Sequence, residues 1–349
     1  MKITELRKML ESTDTATLKK TVVEVYKLLP TNKKLDADDA ITSILSGDGK
    51  KTVKAEEKVD YRKLFNEINR FLENAYNQCY FVPNRVVQKK DRPKWRFLVK
   101  RYVKDLEKVP TDSDFYNESV ELLIKLYEMM CYACRYYLFS STDSFQSVGI
   151  SQSSFYDLIA KKTFAKVFVT EDDIATLIIC ATTGGLSTWS LHINQVSILL
   201  SYLNTEKYLR MAMDKAKEFV EKNGDKLRKL DRYSNTGYYL EDAINQLCNL
   251  ILMVEIELDE FDEGVKYYLD NAKENDNEII LYCALDTIKV FTDDDDLWVK
   301  CYEYGIKYKK IEPRDELKEA YEEILNKKKS SLAEVCWRFN LSLLFIAIF

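Results

Sequence analysis

The apolar residues of this chain recur mostly at three- and four-residue intervals, the rhythm of amphipathic helices. In Val120, Leu123, Ile124, Tyr127, Met130, Cys131, Cys134 and Leu138 that rhythm predicts one long helix over 118–139 with a single buried face. Leu240, Ile244, Leu247, Ile251, Val254 and Leu258 form a second clean stripe. Upstream, helices are predicted over 3–10, 38–45 and 60–77, and over 15–29, entered from an Asp14 cap and stopped by Pro30. Beyond residue 205 the pattern predicts helices over 206–222, 239–258, 261–273, 276–291, 297–309 and 314–326, with Gly224 as a left-handed cap on the first. Residues 155–203 are less plain. KVFV and TLIICATT have the β-branched character of strands, but their flanks read as helix and the whole section is expected to be helical. The serine-rich stretch Ser140–Ser154 reads as an internal linker or exposed loop, tethered by Phe145 and Val148.

Composition strengthens the helical reading. Only 9 glycines and 5 prolines occur in 349 residues, and none of the prolines falls between Pro110 and Pro313, a span that a turn-rich sheet protein would punctuate. The fold class predicted is all-α, an N-terminal helical bundle followed by an α-solenoid-like array of antiparallel helix hairpins. With 46% hydrophobic and 31% charged residues, the chain has the balance of a globular protein. Its 8 irregularly spaced cysteines do not form a disulfide framework, and its start lacks the basic and apolar regions of a signal peptide, so a cytoplasmic location is expected.

Charge divides the chain. Residues 1–110 carry 25 Lys and Arg against 16 Asp and Glu, and the remainder carries 27 against 41. We therefore distinguish a basic N-terminal section (1–110), a central section (111–204), an acidic hairpin array (205–330) and an apolar C-terminal segment (331–349). That last segment is interrupted by Glu334, Arg338 and Asn340, whereas a membrane-spanning helix needs about 20 apolar residues. A last helix docked on the array is the expected reading; an anchor or a frame-altered end are the alternatives.

The sharpest local feature is the segment 85–108. It holds Arg85, Lys89, Lys90, Arg92, Lys94, Arg96, Lys100, Arg101, Lys104 and Lys108 against Asp91, Asp105 and Glu107. Such a cluster suits a phosphate backbone, and Trp95 or Tyr102 could stack on an unpaired base. Lys89, Lys90, Arg92, Lys94, Trp95, Arg96, Lys100 and Arg101 are the candidate polyanion-binding residues. The competing reading is a helix over 94–106 that buries Phe97, Leu98 and Val103 and merely solvates its lysines.

Other motifs read as structure. Cys131 and Cys134 have CxxC spacing, but no second pair accompanies them and both lie on the apolar stripe, so core packing is expected rather than a metal or redox site. His192 lacks a signature partner. Gly184 and Gly185 lack the lysine of a phosphate loop and read as an interhelix turn. The carboxylates at 255, 257, 259, 260, 262 and 263, and Asp293–Asp296, are expected at helix starts, where free N–H groups favour negative charge. No cofactor or metal is expected.

Two resemblances follow. DEFDEGVKYYLDNAK and DDDDLWVKCYEYGIKY, in hairpins whose helices begin 36 residues apart, resemble the tetratricopeptide and Sel1-like superfamily, which implies stacked helix pairs. Arg92-Pro93-Lys94-Trp95-Arg96 with its following helices resembles an uncharacterised bacterial all-helical family, which implies a fold but no activity. The function expected is that of a non-enzymatic helical scaffold that binds a protein or peptide on its C-terminal helix pairs, and 23 tyrosines suit such a surface. Nucleic-acid binding through 85–108 is the alternative.

Overall fold

Capping side chains set where most of the helices begin. The computed structural model describes residues 9–10, 13–28, 41, 60–230 and 234–329, and among these every regular element is helical, with no strand. The chain divides into two compact units, Met1–Asp60 and Tyr61–Phe349. In the first, Asp14 Oδ1 accepts from the backbone N–H groups of Ala16 at 2.9 Å and Thr17 at 3.0 Å, which starts α1 (Thr15–Leu28) where predicted. The helix expected over 38–45, most of that over 3–10, and the apolar segment 331–349 lie outside the described residues.

The second unit opens with α2 (Tyr61–Tyr76) and a 3-10 turn (Arg92–Lys94) that runs into α3 (Trp95–Glu107). Then come α4 (Tyr116–Arg135), α5 (Ser144–Val148), α6 (Gln152–Phe164), α7 (Glu171–Thr182) and α8 (His192–Tyr202). The last third holds α9 (Glu206–Leu227), α10 (Asn235–Glu257), α11 (Phe261–Asn271), α12 (Asn277–Thr292), α13 (Asp295–Lys309) and α14, residues 315–329. Ser151, Thr170, Thr205, Ser234, Asp276 and Asp294 each accept a first-turn N–H, and Thr170 with Asp173 completes a capping box.

Two helices organise the packing. α4 lies against α2, α3, α5 and α6, while α10 lies against α8, α9, α11 and α12. Both are therefore buried more widely than the one-sided stripes predicted for them. Leu122, Leu126 and Met129 of α4 join the core beside the predicted Leu123, Tyr127 and Met130, and α10 is buried continuously from Leu250 to Glu255. A helix enclosed by neighbours on several sides loses its polar face. Successive hairpins also touch through alternate helices, α10 with α12 and α11 with α13, as stacked pairs do. One apolar cluster extends from Leu64 to Leu317, so the charge divisions at 110 and 204 are not divisions of packing.

Four local expectations need correction. α4 ends at Arg135, because the backbone turns extended at Tyr136; Leu138 and Phe139 stay buried by returning beneath α3. Gly224 lies inside α9, which continues to Leu227, and does not cap it. The KVFV stretch is neither strand nor helix. It connects α6 to α7 with Val167 and Phe168 exposed.

Ser140–Ser154 is not a linker. It contains α5 and presses Phe145, Val148 and Ser144 into the core. Asp143 there is a buried hub: its Oδ1 accepts from Gln146 N–H at 3.0 Å, and its Oδ2 from the Ser187 hydroxyl at 2.8 Å, Thr188 N–H at 2.9 Å and the Thr188 hydroxyl at 3.0 Å. Gln152 supports the same connector, accepting from Ser187 N–H at 2.8 Å and donating to the Gly185 carbonyl at 3.2 Å. Buried polar atoms need partners, and these two side chains hold the 183–191 loop between α7 and α8 onto the starts of α5 and α6.

Candidate functional site

α3 is amphipathic, and its two faces decide what the basic segment offers. Trp95, Val99, Tyr102, Val103 and Leu106 point into the core. Phe97, Lys100 or Arg101, Lys104 and Lys108 recur at three- and four-residue spacing on the exposed side. Trp95 therefore cannot receive a base: its ring stacks on Phe139 with centroids 3.8 Å apart and planes 9° apart. Tyr102 is buried too, its hydroxyl donating to Glu67 Oε1 at 3.0 Å. Both the stacking role foreseen for these rings and the burial foreseen for Phe97 are corrected by this arrangement. Phe97 is 61% exposed, with the Arg96 guanidinium 5.0 Å from its centroid.

The cations on this side are not equivalent. Lys94 is paired with Asp91 at 2.7 Å, Arg101 with Glu67, and half-buried Arg92 donates from Nε to the Val87 carbonyl at 3.3 Å. Lys89, Lys90, Arg96 and Lys100 are exposed and make no ion pair among the described residues. Arg85, Lys104 and Lys108 are likewise exposed without an ion pair among the described residues, and of these seven cations Arg96 lies against the exposed Phe97 ring.

A cleft of about 510 Å³ opens between α12, α13 and α14, lined by Ile279, Tyr282, Leu285, Trp298 and Leu317. Its rim is charged, with Arg314 bound to Glu278 at 2.7 Å and Asp286 and Lys289 beside it. Tyr282 is 59% exposed at its mouth.

The remaining motifs fall in the interior. Cys131 is buried, and burial pushes its thiol up to about 12, as its place in the core beside Gln152 would have it. Gly184 and Gly185 form the predicted turn between α7 and α8, with Gly184 at φ +92. His192 opens α8 with Nδ1 2.9 Å from the Ala181 carbonyl, and Nε2 stands 3.8 Å from Asp242 Oδ2. Burial lowers its basicity against the opposing pull of Asp242, which leaves a neutral ring that donates from Nδ1 to Ala181.

Asp294 caps α13 as expected, and Asp262 and Glu263 lie in the first turn of α11. Glu255 and Glu257 instead belong to the last turns of α10. Glu255 is buried and held by Lys217 Nζ at 2.7 Å, an ion pair between α9 and α10 that the acidic run alone did not reveal. Among the described residues no group of His, Cys, Asp and Glu could hold a metal ion, and no helix is long and apolar enough to cross a membrane. No family model, curated protein or solved structure matches this chain.

Proposed function

We propose that this protein is a non-enzymatic helical scaffold that binds a peptide segment of a partner protein on its C-terminal helix pairs. The observation that supports this is the cleft between α12, α13 and α14. Its volume, about 510 Å³, lies in the range of pockets that take a ligand, roughly 300–1,000 Å³. Its lining pairs apolar side chains with tyrosine and tryptophan, and its rim is polar, the division of labour of a recognition surface. The partner segment carries apolar anchoring side chains that enter beside Trp298 and Leu285.

The test uses the full chain with a photo-crosslinking residue at position 282 and, as a control, at position 168, which lies on the connector between α6 and α7. A partner captured only from position 282 is the expected result, with its capture reduced at least tenfold by Leu317→Glu. Equal capture from both positions, or capture unaffected by Leu317→Glu, would overturn the assignment.

The exposed Phe97 among unpaired cations supports a second reading, contact with a nucleic acid through α3. Bound phosphates release counterions, so affinity should fall steeply between two salt concentrations. Reversing Lys89, Lys90, Arg96 and Lys100 to Glu is expected to abolish binding to labelled single- and double-stranded probes. Phe97→Ala should weaken only the single-stranded probe, by about 1–3 kcal/mol, the worth of one base stacked on a ring. Fluorescence anisotropy that shows no salt dependence, or no loss in the charge-reversed chain, would remove this reading.

A further inference from the structure

A second cleft, of about 250 Å³, lies where the end of α2 meets the outer face of α4 and the end of α7. Tyr76 and Tyr132 form its corner, with ring centroids 5.6 Å apart and planes at 64°. Tyr136 stacks on Tyr132 at 4.5 Å and extends the aromatic wall, while Ile179 adds an apolar side. Glu128, one turn before Tyr132, also lines the cleft.

Glu128 is unusual here. It forms no hydrogen bond or ion pair among the described residues, and Lys125 one turn back makes no ion pair with it. Desolvation nevertheless raises its carboxyl group, and its charge together with burial pushes the Tyr76 phenol up to about 12. A carboxylate beside aromatic rings that no ion pair holds is open to an incoming cation. Arg135, a cation of the cleft lining seven residues along α4 from Glu128, is engaged elsewhere: its guanidinium lies 4.0 Å from the centroid of Tyr239.

We propose that this cleft binds an alkylammonium group, with the faces of Tyr76 and Tyr132 receiving the cation and the Glu128 carboxylate accepting its N–H bonds. Aromatic faces carry negative quadrupole charge and attract ammonium ions, more strongly when the site is partly dry. The carboxylate adds a preference for a cation that still bears N–H over a quaternary one, because only the former donates a charge-assisted hydrogen bond. Size agrees, since the cleft is smaller than the roughly 300 Å³ at which drug-sized ligands begin, but it can take an amine head with its alkyl stem against Ile179. The site is separate from the α12–α14 cleft and stands whether or not that cleft binds a peptide. An ammonium of this kind is presented either by a free amine or by a lysine side chain of a partner chain.

Titration of the full protein with n-butylammonium chloride, followed by tyrosine ring signals in NMR, tests the proposal against sodium chloride and tetramethylammonium chloride. Saturable shifts confined to the butylammonium series, with weaker ones for tetramethylammonium, are expected. Glu128→Gln, a near-isosteric change at an exposed position, should weaken binding about tenfold through loss of the charge-assisted bond. Phe97→Leu should leave it unchanged. In a further arm, tighter binding of acetyl-Gly-Lys-Gly-amide than of butylammonium identifies a partner's lysine as the source, and equal or weaker binding identifies a free amine; either outcome upholds the site. Butylammonium shifts no larger than those of sodium, or wild-type affinity in Glu128→Gln, would overturn it.

Discussion

Asp143→Ala should lower the unfolding free energy by about 2 kcal/mol, because it leaves the buried Ser187 hydroxyl without its acceptor and removes the bonds from Gln146 and Thr188, and an unsatisfied buried group costs about 1–3 kcal/mol. The carboxylate receives four hydrogen bonds, one from Gln146 in the first turn of α5 and three from Ser187 and Thr188 of the 183–191 connector. Urea unfolding followed by tyrosine fluorescence would show a lower midpoint, and an unchanged midpoint would refute the hub role. The same residue predicts a pH dependence. Desolvation raises the Asp143 pKa, but bonds from Gln146 and Thr188 N–H and from the Ser187 and Thr188 hydroxyls outweigh it, so the carboxyl group sits below its ordinary value. A depressed folded pKa contributes stability that is fully present above the unfolded value of about 3.9 and is lost as pH falls through the folded one. Asp143→Asn should therefore flatten the decline in stability below about pH 4 while lowering stability at neutral pH. A variant whose acid limb matches the parent's would show that other carboxylates carry that decline.

Helical content was legible before any coordinate because it rests on local chemistry. Thr170, Thr205, Asp276 and Asp294 stand two or three polar residues ahead of apolar positions, and each caps a helix. What sequence could not supply was the number of neighbours each helix meets. α4 and α10 read as one-sided because their best stripes are one-sided, yet packing from several directions buries the residues between those stripes. Apolar rhythm also overran the end of α4, since Leu138 and Phe139 are buried by a returning chain and not by a helix. Polarity misled at Ser140–Ser154, where Asp143, Ser144 and Gln152 are buried because they bond to one another's surroundings. Hydrophilic composition marks exposure only when such partners are absent.

The candidate sites divide along the same line. The cations of α3 were visible as a cluster, but the exposed ring beside them was not. Trp95 and Phe97 are two residues apart and so about 200° apart around a helix, which makes burial of one the exposure of the other. Phe139, far along the chain, decides the choice by stacking on Trp95. The Tyr76–Tyr132 corner gathers residues from helices well separated in sequence, and no spacing rule connects them, whereas the α12–α14 cleft lies between consecutive helices whose packing opens it.

Gly185→Ala is the companion test of the connector, from its opposite side. A Cβ at this position would run into the Cys131 carbonyl oxygen and stand 2.9 Å from Arg135 Cγ and 3.0 Å from Cys134 Cβ. The carbonyl is part of α4 near its C-terminal end, so the connector itself must lift, at a cost of about 3 kcal/mol for overpacking of this kind. Lifting it also draws Ser187 and Thr188 away from Asp143 and the Gly185 carbonyl away from Gln152. Gly185→Ala and Asp143→Ala would then destroy partly the same interactions. The double variant should lose less stability than the two single losses added together, by about 1 kcal/mol or more, as residues in one hydrogen-bond network do. Strict additivity in urea unfolding would mean that the glycine contact and the Asp143 hub hold the loop independently, and that the connector is clamped at two separate points instead of behaving as one unit.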